Sequence, residues 1–347
     1  MNASLPAAAT EIRYPWTTPP VAGAAVEAAR GIHWLRMPLP FALDHINLWL
    51  LADGAGWTQI DCGYGDRSTR GLWETHFEST LRGKRISRVI ATHCHPDHVG
   101  NGAWLAQRFD CALTMPQAEY LTAHALAEEH SGYGTVANCE LFRAHGLEPE
   151  HLATMAARGN RYRHGVPELP VHYRRLLADD ELLIGKSRWR VIPGYGHSPE
   201  HASLHCAELG ILISGDMLLP KISTNVSVWP PEPDGDPLGR FLASLDRFEA
   251  LAADTLVLPS HGLPFVGIQT RIDQLRSHHA ARLAEIEAAA TEPATAASIV
   301  PTLFRRDLDP QQRMFAMGEA IAHLNHLWHR GRLRREQTDG VWKFVRP

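Results

Sequence analysis

Six consecutive residues, His93-Cys94-His95-Pro96-Asp97-His98, offer imidazoles, a thiol and a carboxylate directly after the apolar run Val89 to Thr92. Imidazole nitrogen and carboxylate oxygen suit a borderline divalent cation, and a catalytic site of that kind needs about three protein ligands with one position open to water. One short loop cannot complete it, so the remaining ligands must come from elsewhere in the chain. Three later segments have the right form: Gly196-His197-Ser198, Ser214-Gly215-Asp216 and Pro259-Ser260-His261-Gly262. Each follows a short apolar run, Trp189 to Ile192, Ile211 to Ile213 and Leu256 to Leu258, which puts each candidate at the carboxyl end of a predicted strand. A rigid sheet holds ligands most accurately at its strand ends.

The elements that must do this positioning follow from periodicity and punctuation. Ile32 to Met37, Asn47 to Leu51 and Trp57 to Ile60 read as consecutive strands, separated by Pro and Gly signals that include Asp53-Gly54. Ser68 to Leu81 reads as a helix, Val89 to Thr92 as a strand, and Val99 to Arg108 as a helix opening straight after the ligand loop. From Gln117 to about His172 the chain turns helical and rich in His, Tyr, Arg and Gly, which is long for a connection and predicts either a lid beside the site or a solvated decoration. Leu182 to Asp216 returns to strands, and Thr255 to His261 supplies the last ligand strand. Beyond Pro264, Ile268 to Ala290 has helical spacing and ends at Thr291-Glu292-Pro293. Two more helical stretches follow, Thr295 to Phe304 and Pro310 to His329, and then a hairpin with Asp339-Gly340 ahead of Val341 to Phe344.

The order HxHxDH, lone His, Asp, final His resembles the metallo-β-lactamase fold superfamily. The resemblance spans residues 30–265 and implies an α/β fold, a four-layer αββα sandwich with a helical insertion at about 117–172. Residues 1–29 would be an N-terminal tail, and 266–347 a small C-terminal helical and winged-helix-like domain. By this resemblance His93, His95 and His197 hold a first metal, Asp97, His98 and His261 a second, and Asp216 bridges them. Asp61, in the turn Asp61-Cys62-Gly63, matches the superfamily's early Asp, which supports the metal loop from behind. His201, four residues after His197, would orient a ligand or pack on the next strand. Cys94 is expected to be a packed thiol that points away. The implied cofactors are two divalent ions, zinc foremost, with iron and manganese admitted by the same donors.

The chemistry implied is hydrolysis by a hydroxide bridging the two metals, with Asp97 as the catalytic carboxylate that holds the second metal and orients the hydroxide. The segment Thr92 to Asn101 looks like both the hydroxyacylglutathione hydrolase branch and the lactamase-like endoribonuclease branch. Its longer insertion and different C-terminal unit depart from the first. An ester, thioester or lactone of a small molecule is therefore the leading substrate class. Tyr133 in the insertion, with Asn225 and Trp229 in the loop after Asp216, are candidate pocket residues. A metal-dependent endoribonuclease or phosphodiesterase is the alternative, resting on the basic run Arg330, Arg332, Arg334, Arg335, and β-lactam hydrolysis comes third.

The formal net charge of −4 speaks against a broad nucleic-acid footprint. No apolar stretch approaches the roughly 20 residues needed to span a bilayer, so no membrane partner is expected. Met1 to Thr10 lacks a basic start and is broken by Pro6, which points to a cytoplasmic protein. Five cysteines without a CxxC pair exclude a disulfide framework. His323, His326 and His329 recur at i, i+3 spacing, but no carboxylate or thiol pattern completes a metal site, so they are expected at a surface or an interface. The C-terminal unit is expected to close the core, to wall the pocket or to form a homodimer.

Overall fold

Strands buried on both faces read as nearly continuous apolar runs, and the runs around the ligand motifs form two such sheets. The computed structural model describes residues 11–347; the reading of Met1 to Thr10 as lacking a leader falls outside them. The first sheet has seven strands in sequential order: β1 (Ala25–Ala29), β2 (Ile32–Pro38), β3 (His45–Asp53), β4 (Gly56–Ile60), β5 (Ile86–Ile90), β6 (Leu113–Pro116) and β7 (Arg174–Leu176). β1 to β4 pair antiparallel and β4 to β7 parallel. The second sheet has six strands, β8 (Glu181–Ile184), β9 (Ser187–Gly194), β10 (His201–Cys206), β11 (Ile211–Gly215), β12 (Leu256–Pro259) and β13 (Phe265–Val266).

The sheets face each other across an apolar layer in which Trp34 and Trp49 of the first stack at 5.9 Å and meet Trp189, Val191, Leu204 and Ile213 of the second. Helices cover both outer faces. On the first sheet lie α1 (Arg67–Ser79), the one-turn α2 (Pro96–Val99), α3 (Gly102–Phe109) and α4 (Gln117–Leu126). The insertion continues with α5 (Thr135–Ala144), α6 (Pro149–Arg158) and α7 (Tyr162–Gly165). The second sheet is covered by α8 (Pro237–Glu249), α9 (Ile268–Ala289), α10 (Ala296–Leu303) and α11 (Pro310–His329). The result is the four-layer αββα sandwich.

Three local features depart from the sequence expectations. β1 lies within the stretch read as a tail; its Ala-rich sequence carries little strand signal, yet it pairs with β2. The strand before the ligand loop starts at Ile86 and ends at Ile90, ahead of the expected Thr92. The helix expected to open at Val99 is preceded by α2, because Pro96 sits at its first position with φ already set for a helix. Asp97 and His98 therefore ride on a rigid turn.

The C-terminal elements share one apolar cluster with the second sheet's outer face, built from Phe241, Phe248, Ile272, Ile299, Met317, Ile321 and Leu324 among others. Thr295 and Asp309 start α10 and α11 with capping boxes. The chain closes with the antiparallel hairpin β14 (Arg334–Thr338) and β15 (Val341–Val345). Its turn residues, Asp339 and Gly340, have φ of 51° and 79°, as a type I′ turn requires.

Of the histidines on α11, His323 and His326 are buried, inside the contact with α8 and α9, and His329 is exposed. His323 donates from Nδ1 to the Glu319 carbonyl at 2.8 Å, which leaves its Nε2, 3.3 Å from His279 Nδ1, to accept. Burial lowers the His323 pKa to about 4 from 6.5, so the folded protein holds it neutral. The unfolded chain takes up the proton first. The stabilisation is therefore whole above pH 6.5 and is lost as pH falls toward 4, about 2 kcal/mol of it by pH 5. Urea midpoints at pH 7 and pH 5 should show His323→Gln losing less stability on acidification than the parent; equal losses would contradict this.

Candidate metal centre

The loops that follow β5, β9, β11 and β12 meet at one end of the sandwich. The first loop belongs to one sheet and the other three to the facing sheet. They bring two groups of donors together, His93, His95, His197 and Asp216 in one and Asp97, His98 and His261 in the other, with the donor atoms of each group within 4.8 Å of one another. His93 Nε2 lies 2.9 Å from His95 Nδ1 and 3.3 Å from His197 Nε2. Asp216 faces both groups: Oδ2 is 3.3 Å from His197 Nε2, and Oδ1 is 3.4 Å from His261 Nε2 and 3.6 Å from His98 Nε2. Asp97 Oδ2 stands 3.5 Å from His261 Nε2 and 3.6 Å from His98 Nε2.

Three of the rings are aimed from behind by an acceptor on the other nitrogen, which fixes both tautomer and direction. His98 Nδ1 donates to Asp61 at 2.8 Å, His197 Nδ1 to the Asn225 carbonyl at 2.7 Å, and His261 Nδ1 to the His45 carbonyl at 2.8 Å. Asp61 holds a left-handed backbone, φ 58°, from which its carboxylate also accepts from Thr92 N–H and Oγ. His201 accepts from the Asp216 N–H at 3.1 Å, and burial lowers its pKa to about 3. Gly215 has φ 53°, and a Cβ there would lie 2.3 Å from His201 Nε2, so a glycine is what lets Asp216 take this place.

Burial and mutual repulsion hold His93 and His95 well below the usual imidazole range. Burial also disfavours charge on His98 and His261, but the carboxylates around them outweigh it and raise both. The His98 Nε2 and Asp216 Oδ1 are buried without a hydrogen-bond partner. A buried imidazole edge and a buried carboxylate oxygen that face each other at 3.6 Å without a hydrogen bond are costly unless something bridges them. A divalent cation would satisfy both, so the donor set fits the metals that the sequence motif implies.

The family comparison agrees with this geometry. The profile of the metallo-beta-lactamase superfamily matches residues 42–261, and that of the metallo-beta-lactamase-like C-terminal domain matches 283–347. The chain belongs to the metallo-beta-lactamase superfamily. Within that superfamily, a beta-lactamase domain protein from Burkholderia ambifaria has a solved structure 48% identical, with a TM-score of 0.91 over 97% of this chain and 98% of that one. The probable metallo-hydrolase YqjP of Bacillus subtilis (strain 168) is 24% identical over 320 residues, which is 84% of this chain and 91% of that protein. A hydroxyacylglutathione hydrolase of Thiobacillus denitrificans (strain ATCC 25259 / T1) is 32% identical over 80 residues, 23% of this chain and 28% of that one.

Residues outside the superfamily motif tie the loops together. Glu119, in the first turn of α4, is buried and accepts from Cys94 N–H at 2.9 Å, Ser198 Oγ at 2.7 Å and Glu200 N–H at 2.6 Å. It ties the His93–His98 loop to the His197 loop. Tyr162 of α7 donates to the Cys94 carbonyl at 2.6 Å, and the Cys94 thiol is buried, its pKa pushed up by that burial. Asn47 of β3 donates to the carbonyls of Pro259 and Gly262 on either side of His261. Its one signal was a polar side chain inside an apolar strand. Of the candidate pocket residues, Asn225 serves the centre through its carbonyl, its amide being engaged by Glu319 and Ser227. Tyr133, between α4 and α5, and Trp229, ahead of α8, are half-buried. Among the described residues no helix is long and apolar enough to cross a membrane.

Proposed function

We propose that this protein is a two-metal hydrolase that cleaves an ester, thioester or lactone of a small molecule. The observation that carries this reading is the Asp216 carboxylate, whose two oxygens face the two donor groups. Divalent cations held by His93, His95 and His197 and by Asp97, His98 and His261, with Asp216 between, would supply Lewis acidity that polarises a scissile carbonyl and lowers the pKa of water toward about 7. His and Asp donors suit zinc first and admit iron or manganese. Asp97 would accept a hydrogen bond from the attacking water and set its line of approach. Asp61, His45 and Asn225 hold the rings that frame it, so little reorganisation is needed during reaction.

The insertion supports a small substrate. Glu119 and Tyr162 fasten α4 and α7 directly to the metal loop, and a site enclosed by them would favour a compact ligand over a polymer. The local likeness to a hydroxyacylglutathione hydrolase favours a thioester. The basic run offers less to a nucleic acid than its sequence suggests. Arg332 pairs with Glu287, and Arg335 pairs with Asp234 while its guanidinium lies between Trp328 and Trp342 at 3.7 and 4.2 Å.

The test is turnover of zinc- and manganese-loaded protein on acyl thioesters, lactones, a chromogenic β-lactam and single-stranded RNA, with His95→Ala as the blank. Acyl hydrolysis that the blank lacks is the expected result. RNA cleavage absent from the blank, without acyl turnover, would replace this reading with a nuclease; turnover of the β-lactam alone would make it a lactam hydrolase.

A further inference from the structure

The loop after Asp216 touches the metal centre on one side and the C-terminal helix α11 on the other. Toward the centre, the Thr224 hydroxyl donates to the Asp216 carbonyl at 2.5 Å, and the Asn225 carbonyl receives His197 Nδ1–H at 2.7 Å. Toward α11, Asn225 Nδ2 donates to Glu319 Oε2 at 3.0 Å and Val228 N–H donates to the Gly318 carbonyl at 3.1 Å. Ser227 Oγ steadies the Asn225 amide from within the loop, at 2.8 Å. A Cβ on Gly318 would fall 2.8 Å from both Ser227 Cβ and Oγ, so helix backbone and loop meet at a distance that only glycine permits. Residues 224–228 thus form a strap with α11 as its backing.

The strap sets more than distance. The Asn225 carbonyl holds the proton on His197 Nδ1, so the Nε2 lone pair is directed at the point where His93 Nε2 and Asp216 Oδ2 converge, 3.3 Å from each. If the strap shifts, the ring turns with it. Glu319 is the side chain that fastens the Asn225 amide to the helix, and it is itself half-buried, with its carboxylate engaged by that bond.

We propose that Glu319 is a positioning residue of the metal centre, which holds the His197 ring through Asn225 and so makes the C-terminal domain a working part of the site. This rests on the two-metal reading above. Zinc dissociation from the full-length protein, followed by competition with a chromogenic chelator, tests it in the parent and in Glu319→Ala, Asn225→Ala, the double variant and Glu319→Gln. The parent is expected to bind two zinc ions. Glu319→Ala and Asn225→Ala should each weaken one of them by about tenfold, the order seen when groups behind a ligand are removed. The other zinc should be held as in the parent, which also reports that the fold is intact. The double variant should be no weaker than either single one, because both cut the same link. Glu319→Gln keeps an oxygen for the Asn225 amide and should restore most of the affinity, and kcat should follow the zinc loss with KM little changed.

Parent-like zinc affinity in Glu319→Ala, additive losses in the double variant, or equal weakening of both ions would each overturn the proposal while leaving the two-metal reading in place. A parent that binds no zinc and no manganese would overturn both.

Discussion

Asp216→Ala is expected to release bound metal and to lower hydrolysis by roughly a thousandfold or more, equivalent to about 4 kcal/mol of lost transition-state stabilisation. Its two oxygens face the two donor groups, so its loss removes a ligand from each at once. The carboxylate also supplies the negative charge that offsets the crowded imidazoles, and His261 and His98 in turn hold its own pKa well below the carboxylate range. The loop itself should survive, since the backbone N–H at this position is held by His201 and the preceding turn by Gly215. Metal analysis by mass spectrometry beside turnover on the best acyl substrate checks this. Two metals per chain with parental turnover would sink the bridging role.

Glu119→Ala is expected to cost about 3 kcal/mol or more of stability in the metal-free protein and, separately, to weaken metal binding by about tenfold or more. Its carboxylate is the acceptor for Cys94 N–H, Ser198 Oγ and Glu200 N–H, and a buried donor left without a partner costs about 1–3 kcal/mol. The second effect follows because those donors belong to the loops that carry His93, His95 and His197. Glu119→Gln keeps one acceptor oxygen and should fall between the parent and the alanine variant. Urea titrations with chelator present isolate the first effect, and zinc competition the second. An alanine variant within about 1 kcal/mol of the parent, with parental metal affinity, would reduce Glu119 to an incidental buried acid.

The metal-binding candidates were legible in the chain because a loop between strand and helix has room for few geometries. His93, His95, Asp97 and His98 occupy one such loop, and each partner ends an apolar run. The residues that aim them were hidden for a different reason. Glu119 reaches Ser198 across 79 positions, Asn47 reaches Pro259 across 212, and Asn225 reaches Glu319 across 94. Nothing local marks such a partner: an acid in the first turn of a helix has an ordinary explanation in the helix dipole. The C-terminal helices showed their period plainly, but how they were covered was not visible. Only the folded chain shows His323 and His326 turned inward and two of the basic residues already paired. β1 stayed unread because Ala25-Val26-Glu27-Ala28-Ala29 takes its place from the neighbouring strand rather than from its own propensity.

Trp34 donates its indole N–H to Asn47 at 2.8 Å, and the same Asn47 grips the turn that carries His261. The interior of the sandwich and the metal site are thereby one mechanical object. Ions seated between the loop from one sheet and the three loops from the other would act as rivets through the two plates. At free metal about a thousandfold above its dissociation constant, one such rivet adds about 4 kcal/mol against separation. The protein's resistance to heat would then follow the surrounding metal supply, and scarcity would be felt as loosened sheets as well as lost activity.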